Sequence, residues 1–318
     1  MSEVSSAPSS SSSSPAFPAA ARHGARGIGM VLLAAMLWGT TGTVQSLAPA
    51  GLSPYWVGAL RLAVATAFFA VLAGVLRRRG GPRGRLAWPQ VLLAGACVAV
   101  YNLSFFAGIK ISGVALGTAL AIGSGPIWAG LLQTVLQRRM PAPVWWAGTL
   151  LGVAGGVAMA LDGGAGSGSR GGAQALGIAL CLLAGLGYSA YTLLNKPLVQ
   201  HAPAPTVNLA VFGTAAVLSV PVAWGVAGTP ALTAGTWATV AYLGLVATGL
   251  AYLLFTSALR HISGATGVTL ALAEPVTAFV LAVVVVGEPA TLLSVGGLVA
   301  VLSGLLLVVW AELRVARS

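Results

Sequence analysis

Apolar runs of about twenty residues recur ten times along this chain, each long enough to carry a helix across about 30 Å of hydrocarbon. They fall at 28–47, 54–76, 87–107, 113–136, 144–161, 175–194, 206–226, 236–258, 264–286 and 291–311. Strands of a membrane barrel would alternate apolar with polar residues, and these runs do not. Soluble domains carry about a quarter charged residues. Here 7% are charged, 57% are hydrophobic and the mean hydropathy is +0.92. A water-facing surface cannot be built from such a chain. The expected fold is an all-α polytopic membrane protein with ten transmembrane helices, and the lipid bilayer is its first partner.

The net charge of +11 does not point to nucleic acid, because the cations lie in short loops between the spans, where they set topology. With a cytoplasmic N-terminus, the inner segments hold Arg22, Arg26, the five arginines of "RRRGGPRGR", Arg138, Arg139, Lys196, Arg260, Arg314 and Arg317. The outer ones hold Lys110 and Arg170, and Arg61 lies inside a span. The expectation is a multi-pass protein of the cytoplasmic membrane with both termini cytoplasmic. Residues 1–27, rich in Ser, Pro and Ala, are expected to be a disordered tail rather than a signal peptide. Residues 162–174 are expected to form an external linker and 312–318 a second cytoplasmic tail. The two cysteines, Cys97 and Cys181, sit in apolar runs without CxxC spacing, and His23, His201 and His261 lie in loops or the tail. No metal and no cofactor are expected.

The chain also repeats itself. "GIGMVLLAAMLWG" from Gly27 returns as "GIALCLLAGLGYS" from Gly177, aligning Trp38 with Tyr188. "YNLSFFAGIKISG" from Tyr101 returns as "YLLFTSALRHISG" from Tyr252, and Pro126 is answered by Pro275. The spacing is close to 150 residues, so 28–161 and 175–311 are two halves of five spans each. Five is odd, so the second half enters the membrane inverted, the architecture common among secondary transporters.

With these residues in place, the chain resembles the drug/metabolite transporter superfamily, in its EamA branch, from about Gly27 to Trp310. The resemblance rests on the "LWG" of the first span, the "ALRLAVA" around Arg61, the "Y…A…IS" ends of the third and eighth spans, and "LALAEPVTAFVLAVVVVGEP". The first half departs from the family, having "QRRMP" where a Gly-Glu pair often follows the fourth span. The resemblance implies ten helices around a central cavity and transport of small metabolites, often export of amino acids or related compounds.

Two charged residues lie within spans, Arg61 and Glu274. At 1.5 Å per residue they stand about 10 Å from the outer end and about 15 Å from the inner end, respectively. Intramembrane charges usually face a cavity or a partner and mark function. The pair has two readings: a static ion pair between spans two and nine, or a site where Glu274 takes a proton or substrate ammonium while Arg61 meets a carboxylate. Trp38, Tyr101, Asn102, Ser124, Trp128, Tyr188, Tyr191 and Tyr252 are further candidates for a wet substrate cavity. Pro126 and Pro275 are candidate hinges, and helix breaks are expected at both. A P-loop is absent, so ATP is not the direct energy source; protons are a candidate coupling ion. An enzyme is not expected, since an intramembrane serine protease would need a base near its serine. The expected function is secondary transport of a small organic metabolite. The alternatives are efflux of drugs or cationic compounds, and a non-transporting receptor or scaffold.

Overall fold

A computed structural model describes residues 19–46, 52–81, 84–112, 114–138, 140–162, 172–287 and 290–315. Ten helical segments occur among them: α1 (Ala19–Ser46), α2 (Pro54–Arg78), α3 (Trp88–Ser112), α4 (Val114–Gln137), α5 (Pro143–Asp162), α6 (Gly172–His201), α7 (Ala204–Ala227), α8 (Ala234–Ala258), α9 (264–286) and α10 (Leu292–Val315). No strand occurs among the described residues. Eight of the segments are long and apolar enough to cross a membrane, and Pro143–Met159 is a shorter apolar helix.

Local chemistry explains several boundaries. Pro54 opens α2 at a position where its missing N–H costs nothing. Thr233 and Thr236 form a reciprocal capping box at the start of α8, and Ser263 caps α9 by accepting from the Thr266 amide at 3.0 Å. Gly287 (φ 83°) ends α9 in the left-handed region that glycine tolerates best. At the N-terminus the expectation needs correcting. Residues 19–27, assigned above to a disordered tail, are helical and extend α1. Alanine and arginine are good helix formers, and the extension gains a tertiary partner: the His23 ring lies 5.6 Å from that of His261. Most of the external linker, 163–171, lies outside the described residues.

The two expected proline breaks came out differently. In α9 the α-helix stops at Leu270 and resumes at Ala273. Pro275 has no N–H to give to the Ala271 carbonyl, so the Glu274 amide donates there instead (2.9 Å), and the Leu272 amide donates to Thr269 (3.0 Å). The break is thus one tight turn. In α4, by contrast, the helix runs unbroken through Pro126. Proline is tolerated inside membrane helices, and α6 packs closely here, with Ser189 donating to the Gly125 carbonyl at 2.7 Å. The expected break in span four is therefore absent. A break the proline pattern did not announce lies in α8, where 243–250 form a π-helical stretch and the Thr248 hydroxyl donates to Leu243, five residues back, at 2.7 Å.

Packing follows the repeat. α3 and α4 pack on α6, just as α8 and α9 pack on α1, while α2 pairs with α7 and α5 with α10. The last pair shows the symmetry in atomic detail. A Cβ on Gly304 would stand 2.5 Å from the Gly148 carbonyl oxygen, and one on Gly297 would stand 2.6 Å from that of Gly155. As the number rises on α5 it falls on α10, so the helices are antiparallel, with backbones in the close contact that only glycine permits. The molecule thus has two three-helix units, α1–α8–α9 and α3–α4–α6, joined by two helix pairs.

Candidate functional site

Five helices of the two units, together with α2, bring the polar and aromatic candidates to the middle of the bundle. Trp38 comes from α1, Arg61 from α2, Tyr101 and Asn102 from α3, Tyr188 and Tyr191 from α6, Tyr252 from α8 and Glu274 from α9. The Trp38 ring meets three others, with centroids 5.0 Å from Tyr252, 5.4 Å from Phe255 and 6.2 Å from Tyr188. Tyr188 in turn lies 5.6 Å from Tyr101, and Tyr191 lies 6.0 Å from Tyr252. The repeat therefore places its matched pair, Trp38 and Tyr188, edge to face across the centre.

Arg61 points to α3. Its Nη2 donates to Asn102 Oδ1 at 3.4 Å, and its guanidinium carbon lies 5.8 Å from the centre of the Phe106 ring. Gly58, one turn earlier on α2, makes this possible, since a Cβ there would meet Phe106 Cε2 at 2.5 Å and Asn102 Nδ2 at 2.6 Å. Arg61 makes no ion pair with Glu274 within 4.0 Å among the described residues. The two charges act on one another through space, and the hydroxyls of Tyr101 and Tyr252 lie in the field of both. The static ion pair considered above is thus absent. Glu274 and Tyr188 are partly exposed.

Four buried polar atoms around the cluster have no hydrogen-bond partner: Trp38 Nε1, Arg61 Nε, Asn102 Nδ2 and the Tyr188 hydroxyl. Three of these are pure donors and the fourth can donate. An unpaired buried donor costs about 1–3 kcal/mol, so each of them is a demand for an acceptor atom. A carboxylate beside Arg61 and Asn102 would meet that demand, and the carboxylate of Glu274 would meet a cation. The rings around Trp38 would cover an apolar body.

The α4 candidates border this cluster, a Cβ on Gly125 standing 3.9 Å from the Tyr188 ring. Ser124 donates to the carbonyl of its own helix at Ala121 (3.5 Å) and crowds Gly185 of α6. Trp128 has a buried unpaired indole N–H, but no ring contact joins it to the Trp38 cluster. Sequence reasoning missed Phe255 and Thr256, although Tyr252, Phe255 and Thr256 share one helical face at the i, i+3, i+4 spacing that reveals such a stripe. The candidate Tyr191 belongs to a buried network below the site, whose Asn208 sequence reasoning also missed. There Asn195 Nδ2 donates to the Tyr191 hydroxyl (3.2 Å) and to Thr256 (3.1 Å), and Thr256 donates to Asn208 Oδ1 (2.8 Å).

Known proteins share both the sequence and this architecture. The uncharacterised transporter YwfM of Bacillus subtilis is 37% identical over 278 residues, 87% of this chain and 92% of its own. An uncharacterised transporter of Synechocystis is 29% identical over 129 residues, 40% of this chain and 38% of its own. A crystal structure with 20% identity superposes with a TM-score of 0.77, covering 92% of this chain and 99% of that one, which shows a shared fold. The pattern of the EamA-like transporter family matches twice, over residues 25–161 and 175–310, the two halves that the packing relates. The chain is therefore a multi-pass membrane protein that belongs to the EamA-like transporter family, within the drug/metabolite transporter superfamily.

Proposed function

We propose that this transporter is a secondary exporter of a small organic metabolite bearing a carboxylate, such as an amino acid or a related compound, working by alternating access in the cytoplasmic membrane. The observation that carries the reading is the set of unpaired donors on Arg61, Asn102, Trp38 and Tyr188, in a part of the bundle that also holds Glu274 and the Trp38 rings. Arg61 and Asn102 bind the carboxylate, Glu274 takes the substrate ammonium or a proton, and the rings take the side chain. A gradient of protons or of substrate supplies the energy. Efflux of a cationic compound is the second reading, favoured by Glu274 close to aromatic faces; Arg61 in the same site opposes it.

Purified protein in vesicles, offered labelled amino acids and cationic drugs with and without a pH gradient, tests both. The Glu274→Gln variant keeps the shape and mimics the protonated acid. It is expected to keep substrate exchange and lose dependence on the pH gradient. Unchanged rate and pH response would reduce Glu274 to a structural contact, and flux of cations alone would favour the second reading.

A further inference from the structure

One end of the bundle is sealed and the other is loose. All ten residues from Gly264 to Ala273 are buried, as are Tyr191, Asn195, Thr256 and Leu259, whereas Glu274 to Phe279 are each partly exposed. At the loose end Thr40, Thr41, Thr43 and Val44 of α1 and Tyr101, Phe105 and Ile109 of α3 are partly exposed as well. The sealed end is where α6 and α8 finish and α9 begins.

The bonds across that seal join the two three-helix units. Tyr191 and Asn195 of α6 meet Thr256 of α8. One turn on, Lys196 Nζ donates to the Leu259 carbonyl at 3.1 Å and to that of Ile262. Arg260 Nη2 returns the contact, donating to Ala202 at 2.8 Å. The far side of the same loop is held by Glu312 of α10, which accepts from the Ser263 amide at 2.9 Å and from the Thr266 hydroxyl at 2.5 Å. Lys196 is thus the one ammonium in the seal, and it is partly buried against the carbonyls that end α8, where the helix dipole favours a cation. Repeat symmetry sets α1 and α3 opposite α6 and α8. The offset that aligns Trp38 with Tyr188 puts Ser46 opposite Lys196, so α1 carries no ammonium at the matching position, and the cation of the other end is Lys110 on α3, matched by the repeat to His261.

We propose that Lys196 is the latch of a gate at this end, and that the absence of a matching ammonium on α1, where Ser46 stands, biases the resting transporter toward the state described here. Opening this end breaks the Lys196 bonds to Leu259 and Ile262 and parts Asn195 from Thr256. The first half then brings α1 and α3 together with Ser46 where the second half has Lys196, and Lys110 of α3 as the cation of that end. The inference rests on alternating access, and its test needs no substrate.

Amide hydrogen exchange on the full chain in lipid nanodiscs reads both ends at once. Lys196→Met keeps the apolar stem and removes the donors and the charge, whereas Lys196→Arg restores them. Lys196→Met is expected to exchange about tenfold faster or more at 256–263, the scale of one lost charge-assisted hydrogen bond. It should at the same time gain protection at 105–112, with Lys196→Arg close to the parent. Unchanged exchange at both ends overturns the latch. So does faster exchange at 256–263 without protection gained at 105–112, because Lys196 would then anchor only its own loop. If Lys196→Met does not fold, Thr256→Val decides: the same two shifts, smaller, support the gate, and no shift overturns it. Absence of flux in vesicles would instead overturn the transport reading while leaving these exchange rates as they are.

Discussion

Replacing Gly39 with alanine tests how closely the first span must approach the acidic one. A Cβ at Gly39 would stand 2.6 Å from Thr277 Cβ, 2.7 Å from the carbonyl oxygen of Glu274 and 3.1 Å from the Ala278 amide nitrogen. Carbon-to-oxygen contacts between helices settle at about 3.3 Å or more, so α9 must move by roughly 0.6 Å just where it carries Glu274. Two of the three obstacles are backbone atoms, which cannot rotate away. Overpacking of this kind costs about 1–3 kcal/mol, and the helix propensity of alanine offsets up to about 1 kcal/mol of it. Gly29, on the same helix, has nothing within 4 Å of its virtual Cβ. Gly29→Ala therefore receives only the propensity gain, and the difference between the two variants, about 1–3 kcal/mol, isolates the contact. Thermal unfolding in detergent measures the stability and initial flux in vesicles measures the function. Gly39→Ala is expected to be the less stable of the two and to transport more slowly through the displaced Glu274. Equal stability and equal flux for the two variants would refute the close approach of α1 to α9.

Because Arg61 bonds Asn102 rather than Glu274, Arg61→Gln and the double variant Arg61→Gln with Glu274→Gln are both expected to insert at normal yield and to lack transport. Recovery of flux in the double variant would point to a partnership between the two charges instead. A cysteine placed in the 77–85 loop is expected to be shielded from an impermeant thiol reagent in intact cells, while one placed in 164–170 reacts; the reverse pattern would invert the orientation. At the sealed end, burial and then the charges of Arg26, His23, Arg260 and Lys196 hold the His261 imidazole below its ordinary value. The folded chain therefore resists protonation there, the unfolded chain binds the extra proton first, and stability falls as pH drops below about 6.5. His261→Gln is expected to lessen the loss of thermal stability between about pH 7 and about pH 5, and an unchanged pH profile would remove His261 from the account.

Much of this protein was legible before any tertiary contact was known. Runs such as 54–76 and 206–226 read as spans because a backbone in lipid must satisfy every N–H and C=O within its own segment, and the structure has helices over both. The match of Trp38 to Tyr188 announced an inverted repeat, and the two residues meet at the centre. The kink near Glu274 was legible because proline lacks a donor, a fact of one residue. Pro126 shows the limit of that logic, since its helix stays whole. Tertiary structure alone decided that Arg61 turns to Asn102 and that Lys196, counted from sequence only as a loop cation, grips the end of α8. The physical reason is common to both. Lipid and protein interior are equally apolar, so hydropathy sets where a helix crosses but not how it is rotated about its axis. That rotation comes from small-residue contacts such as those of Gly39, Gly58 and Gly304, which join residues far apart in the chain and leave no periodic mark on it.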